Sequence, residues 1–169
     1  MLKVDLARLG REGSVLVDER VPADAALWQE SGLRWSEPVE VHIRVTEAGS
    51  GEIVARGRVK GKLHQECRRC LEPVDGELDT ELTMVFVSGE SQAESEEAGE
   101  YTFQPKAGEL DLSNAVREEV LLAMNPYVVC SPACPGLCPK CGANLKEGPC
   151  GCEETETDPR WDALRELKR

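Results

Sequence analysis

The sequence predicts an α+β fold: mainly antiparallel β-sheet, or a small open barrel, covered by a helix and followed by a C-terminal zinc-ribbon-like module. Three observations carry this expectation. Segments between Val39 and Phe86 alternate apolar and polar residues with a period of two, the pattern of half-buried strands. A later segment around Val116 repeats apolar residues at helical spacing. Six of the eight cysteines lie in the 23 residues from Cys130 to Cys152, spaced like metal ligands.

In chain order, Leu2, Val4 and Leu6 alternate, and Val15 and Val17 follow the turn residues Gly10 and Gly13, which predicts a short strand or two. Between Pro22 and Gly32, a helical turn from Ala25 to Glu30 carries Trp28 as packing material. Val39, Val41, Ile43 and Val45 alternate with Glu40, His42, Arg44 and Thr46 as a half-buried strand, and Ala48-Gly49-Ser50-Gly51 supplies a hairpin loop. The return strand places Ile53, Ala55, Val59 and Leu63 on one face with Gly57 and Gly61 between them. Its other face carries Arg56, Arg58, Lys60, Lys62 and His64. A Cys67-Arg68-Arg69-Cys70 knuckle interrupts the ribbon, and Pro73 and Gly76 complete a turn before a third strand marked by Leu78, Thr80, Leu82, Met84 and Phe86. Strands in such succession imply a meander or small open barrel.

Residues 88–100 are small, polar and acidic without apolar periodicity, so they read as a solvated loop. Asp111 can cap a helix over 111–125 whose face is Leu112, Ala115, Val116, Val120, Ala123 and Met124, and Asn125-Pro126 ends it. An acidic linker follows Cys152, and Asp158 can cap a terminal helix bearing Trp161, Leu164 and Leu167 on one side. The expected division is a β-rich domain over 1–126 and a cysteine-rich module with its terminal helix over 127–169.

Aromatic residues make up 4% of the 169 residues and charged residues 31%, so the core is aliphatic and lean, and metal staples are useful. The net charge of −12 opposes nonspecific attraction to phosphate backbones and anionic membranes and favours a basic partner. The start, MLKVDLARLGREG, lacks the apolar run of a secretory signal, and no segment is long enough to span a bilayer. The expectation is a soluble, cytoplasmic protein without a membrane partner. In a reducing compartment, closely spaced cysteines read as metal ligands rather than disulfides.

Four thiolates close one tetrahedral zinc site, so eight make two, provided the remote pair joins the surplus local pair. Cys138, Cys141, Cys150 and Cys152 are assigned to one zinc ion. CPKCG, with Gly142 after the second ligand, suits a metal knuckle, although Cys150-x-Cys152 is tighter than most ribbon spacings. Cys67, Cys70, Cys130 and Cys134 are assigned to a second zinc ion that ties the β region to the C-terminal module. A competing partition groups Cys130, Cys134, Cys138 and Cys141 locally. The functional alternative for Cys67-x-x-Cys70 is a redox dithiol, but such motifs work at a helix N-terminus, and here a strand pattern precedes the motif with no convincing helix after it. His42 and His64 stand on polar strand faces, and eight cysteines already suffice, so both read as surface residues.

Arg44, Arg56, Arg58, Lys60, Lys62, Arg68 and Arg69 form a local basic stripe that could contact RNA or a protein partner. The stacking aromatics of a single-strand RNA platform are missing, and Glu77, Asp79 and Glu81 on the next strand can neutralise the stripe. A solvated, salt-bridged face is the plainer reading. No Ser/His/Asp arrangement, phosphate-binding glycine loop or clustered acid pair in an identifiable pocket stands out, so neither an enzyme nor a small-molecule substrate is expected.

CRRCLEP after a β-rich region, then the acidic loop, LDLSNAVREEVLLAMNPYVVC, CPGLCPKCGANLKEGPCGC and DPRWDALRELK together resemble the YceD family over most of the chain from about Val39. The resemblance implies a non-enzymatic factor needed for accumulation of large-subunit (23S) ribosomal RNA, hence for ribosome biogenesis. In bacteria the family's genes commonly neighbour that of ribosomal protein L32. It implies no catalytic residues. An acidic chain suits the escort of a basic ribosomal protein, so the expected partners are a ribosomal protein, with L32 one candidate, or precursor large-subunit rRNA. A thiol redox protein and a zinc-ribbon module contacting the transcription machinery stand as alternatives.

Overall fold

The structure is a computed structural model that describes residues 2–29, 31–49, 51–89 and 100–152. The chain opens with β1 (Lys3–Asp5), α1 (Leu6–Glu12), β2 (Ser14–Val21) and α2 (Ala26–Gln29). Strands β3 (Arg34–Trp35), β4 (Val39–Glu47), β5 (Ile53–Glu66) and β6 (Pro73–Ser88) follow, then β7 (Glu100–Phe103), β8 (Glu109–Asp111) and α3 (Ser113–Ala123). The main sheet runs β2-β4-β5-β6-β7 with β3 beside β5, and β1 and β8 form a separate two-stranded ribbon. Pairing is antiparallel throughout the main sheet except between β6 and β7. Among the described residues no helix is long and apolar enough to cross a membrane.

The core follows the period-two pattern. Val39, Val41, Ile43 and Val45 of β4, Ile53, Ala55, Val59 and Leu63 of β5, and Leu78, Leu82, Met84 and Phe86 of β6 are all buried. Helix α3 lays Ala115, Val116 and Val120 on this layer, and Leu2, Val4 and Leu9 close it from the N-terminal side. Gly57 is opposite Ile43, and a Cβ there would lie 2.0 Å from the His42 carbonyl oxygen. Gly61 leaves room for the Trp35 ring, which packs 5.2 Å from the Trp28 ring centroid. Both indoles are buried.

Several expectations change. Strands β4, β5 and β6 form the expected antiparallel meander, but among the described residues the sheet stays open, ending at β2 and β7, and β7 joins β6 in parallel. Leu6 begins a helix instead of extending a strand: the Asp5 carboxylate caps it by accepting from Arg8 N at 2.7 Å, and Gly13 ends it at φ 71°. Pro73 and Gly76 lie inside β6 rather than in a turn, since the knuckle itself reverses the chain. Helix α3 is shorter than 111–125. Asp111 belongs to β8, but its Oδ1 accepts from Ser113 N at 2.9 Å. From Tyr127 onward the described residues hold only an isolated bridge, Leu137 with Asn144, in place of ribbon strands. Most of the expected 88–100 loop and the terminal helix fall outside the described residues.

Candidate metal centres

The hairpin of β5 and β6 is the longest among the described residues, with register from Ile53 opposite Phe86 to Glu66 opposite Pro73. The Cys67–Cys70 knuckle forms its tip. Cys67 N donates to Glu72 O at 2.8 Å and Leu71 N to Cys67 O at 2.8 Å, while Leu71 adopts φ 60°. The second knuckle repeats this geometry: Gly142 N donates to Cys138 O at 2.9 Å, and Gly142 has φ 73°. Both residues occupy the left-handed region that glycine enters freely and leucine only at a cost.

The hairpin tip meets the chain that leaves α3. Arg68 N donates to Val128 O at 2.8 Å, and the Arg68 guanidinium stacks 4.5 Å from the Tyr127 ring centroid. Arg69 accepts at its carbonyl from Leu137 N at 3.0 Å, and its guanidinium donates to Pro132 O and Cys134 O at 3.2 and 2.9 Å. Gly136, at φ 80°, lets the backbones approach, since a Cβ there would lie 2.9 Å from Arg69 O. Glu72 accepts from Asn144 Nδ2 at 2.7 Å and pairs with the Lys146 ammonium. Sequence reasoning missed these fastenings. Their only visible trace was the single acid in Cys70-Leu71-Glu72-Pro73, which carries no spacing signal.

These contacts gather the cysteines into two groups. Cys67, Cys70, Cys130 and Cys134 hold their sulfurs within 4.8 Å of one another, as do Cys138, Cys141, Cys150 and Cys152. Cys138 and Cys141 thus lie with the last pair and not with Cys130 and Cys134. The first group is enclosed: Cys67, Cys70 and Cys134 are buried against Val74, Val129 and Leu137. The second is at the surface, with Cys141 and Cys152 exposed. The Sγ separations of Cys67 to Cys134 and Cys70 to Cys130 are 3.8 and 3.6 Å. A disulfide needs about 2.05 Å, whereas four thiolates about 2.3 Å from one tetrahedral ion stand about 3.8 Å apart. Either group could hold a metal ion.

The shifts differ within each group: Cys67 and Cys138 are lowered, whereas Cys70, Cys134 and Cys152 are raised. Burial raises the Cys67 thiol, but backbone N–H groups of Cys130, Cys70 and Arg69 outweigh it and bring it down to about 6. Backbone N–H groups of Cys141 and Lys140 bring Cys138 to about 6. Hydrogen bonding with the Cys141 and Cys150 sulfurs, which favours the protonated form, pushes Cys152 up to about 12.

The basic stripe is largely engaged within the protein. Arg58 chelates Asp79 through Nε and Nη2, Lys60 lies 3.5 Å from Asp79, and Lys62 lies 3.3 Å from Glu37. Arg68 and Arg69 hold the cysteine-rich segment. Arg44 and Arg56 sit opposite each other in register, exposed, with no ion pair among the described residues. His42 and His64 pair with Asp18 and Asp75 at 3.0 and 2.6 Å, away from the cysteines.

The sequence profile described as "Large ribosomal RNA subunit accumulation protein YceD" matches residues 55–168, from the long hairpin through all eight cysteines. The chain belongs to the YceD family. An uncharacterized protein of Mycobacterium tuberculosis is 32% identical over 173 residues, covering 98% of this chain and 81% of its own. An uncharacterized protein of Mycobacterium leprae is 27% identical over 166 residues, covering 96% and 76%. The chloroplastic Large ribosomal RNA subunit accumulation protein YCED homolog 1 of Arabidopsis thaliana is 38% identical over 66 residues, 39% of this chain and 21% of that one. No solved structure matches. For this YceD-family chain, the cysteine-rich segment and the hairpin tip that receives it both fall within the matched region.

Proposed function

We propose that the protein is a non-enzymatic, cytoplasmic ribosome-biogenesis factor that supports accumulation of large-subunit (23S) ribosomal RNA as a zinc-stabilised adaptor. The observation that carries this reading is the family match across residues 55–168, which takes in the hairpin and both cysteine groups. The name of the Arabidopsis relative points the same way.

All-thiolate sets with S···S separations near 3.8 Å suit zinc, which closes such sites as structural staples. Cys67, Cys70, Cys130 and Cys134 would hold one ion, and Cys138, Cys141, Cys150 and Cys152 the other. The net charge of −12 suits a basic ribosomal protein as direct partner. Arg44 and Arg56 are the residues of the stripe left free for RNA.

Affinity purification from cells, after ultraviolet crosslinking, tests this reading. Recovery of a large-subunit ribosomal protein or precursor large-subunit rRNA is expected, and absence of both would overturn it. The alternative reading, a thiol redox protein using Cys67-x-x-Cys70, has against it the burial of Cys67, because reactive thiols are partly exposed. It is separated by zinc analysis: two zinc ions per chain and no titratable thiols in the native protein exclude it.

A further inference from the structure

The two edges of β6 are used unequally. One edge pairs with β5 from Pro73 to Phe86, nearly the whole strand, while the other meets β7 only from Val85 onward. Among the described residues no strand and no backbone hydrogen bond engages that second edge from Val74 to Thr83. The free edge is long enough to accept a strand of ordinary length.

Its side chains are ordered by charge. Asp75, Glu77, Asp79 and Glu81 project at alternate positions on the exposed face, while Leu78 and Leu82 turn into the core and Thr80 is half-buried. Asp79 is engaged by Arg58 and Asp75 by His64, but Glu77 and Glu81 make no ion pair among the described residues. A strand added here would set its outward side chains beside these carboxylates and its inward ones beside Leu78 and Leu82. Cations on one face and apolar residues on the other satisfy both.

We propose that the β6 edge from Val74 to Thr83 binds an extended segment of a basic protein partner by strand addition, with Lys or Arg alternating with apolar residues. Main-chain hydrogen bonds supply affinity in this mode, and the alternating side chains supply selectivity. The carboxylates also act against the wrong occupant. A second copy paired edge to edge would bring Glu77, Asp79 and Glu81 against their own counterparts, and like charges directly opposite destabilise a ladder. The expectation that the partner is a basic protein rests on the adaptor reading above; the free edge and its charge pattern do not.

The test uses the full chain with zinc bound, observed by amide hydrogen exchange, and three ten-residue peptides. One alternates Lys and Val, one alternates Glu and Val, and the third is the Lys–Val peptide N-methylated through its centre. The Lys–Val peptide should slow exchange at alternate amides between Val74 and Thr83, and N-methylation should weaken binding about tenfold or more. The Glu–Val peptide should not bind. The Glu77→Lys/Glu81→Lys double variant, with unchanged protection in β5, should reverse that preference.

Equal binding of the N-methylated peptide would overturn the proposal, because charge alone would then suffice. Unaltered β6 amides at saturation would do the same. So would edge amides already protected in the free protein, or a dimer in sedimentation, since the chain itself would then cover the edge. The peptides report on purified protein and the crosslinking on cells, so either reading can fail without the other.

Discussion

Cys67 and Cys134 stand 67 positions apart in the chain, yet their sulfurs lie 3.8 Å from each other in a buried cluster. One belongs to the tip of the β5–β6 hairpin and the other to the segment that leaves α3. The first cysteine group therefore ties two regions, whereas the second closes only a local loop between Cys138 and Cys152.

That difference predicts unequal consequences of losing a ligand. Cys67→Ser should reduce bound zinc from two ions to one and cost on the order of 4 kcal/mol, the scale of a lost structural metal. It should also release amide protection around residues 128–137, where Arg68 and Arg69 now hold the backbone. Cys152→Ser should likewise lose one zinc but leave that region protected. Metal analysis with hydrogen exchange distinguishes the two. A strong chelator should strip the exposed second site before the enclosed first one.

Leu71 and Gly142 occupy equivalent places after their knuckles, at φ 60° and 73°. A left-handed conformation costs a branched residue about 1–2 kcal/mol, and the Leu71 side chain is 58% exposed, so little burial offsets the strain. Leu71→Gly should raise stability by about 0.5 kcal/mol after the entropy cost of glycine. Gly142→Ala should lower it by about 1 kcal/mol. Urea midpoints at constant zinc check both signs.

The strands were legible because β4, β5 and β6 bury one face each, and burial writes a period of two into Val41, Ile43 and Val45 or Leu82, Met84 and Phe86. Ligand count predicted two sites, since four sulfurs fill a tetrahedral site and the chain has eight, but it left open the local partition of Cys130, Cys134, Cys138 and Cys141, which only the fold separates. Helix α1 was not legible. It has seven residues, its cap is the single Asp5, and Gly10 within it looks like a turn. The short β3 strand is held by Trp35 lying over Gly61, a relation between distant positions with no local pattern. Arg69 appeared as part of a charged stripe because a sequence shows its charge but not the Pro132 and Cys134 carbonyls it meets.

Asp79 accepts two hydrogen bonds from the Arg58 guanidinium, which with the nearby Lys60 holds its carboxyl below the usual 3.8. Its folded-state value is depressed, so its contribution is complete above the unfolded value and is lost as pH falls through the folded one. An NMR titration should place the Asp79 midpoint below 3.8. Arg58→Gln should move it upward, and the acid limb of stability should be shallower in Asp79→Asn than in the native chain. High salt should shrink these differences, because both groups are about half exposed.

Gly57 and Gly61 share the core-facing side of β5 but meet different neighbours. A Cβ on Gly57 would lie 2.0 Å from the His42 carbonyl oxygen and 2.7 Å from Ile43 Cα, all backbone atoms of the paired strand. A Cβ on Gly61 would lie 2.7 Å from the Trp35 ring, a side chain at the end of a two-residue strand. Backbone in a continuous ladder cannot retreat without breaking pairing, whereas the Trp35 ring can tilt and β3 can shift. Gly57→Ala should therefore cost about 3 kcal/mol or more and Gly61→Ala about 1–2 kcal/mol. Denaturant midpoints read the costs directly. In Gly61→Ala the loss should come with altered tryptophan fluorescence, since Trp28 and Trp35 pack on each other. An equal cost at the two positions would mean that β3 is as rigid as the β4–β5 ladder, contrary to its two-residue pairing.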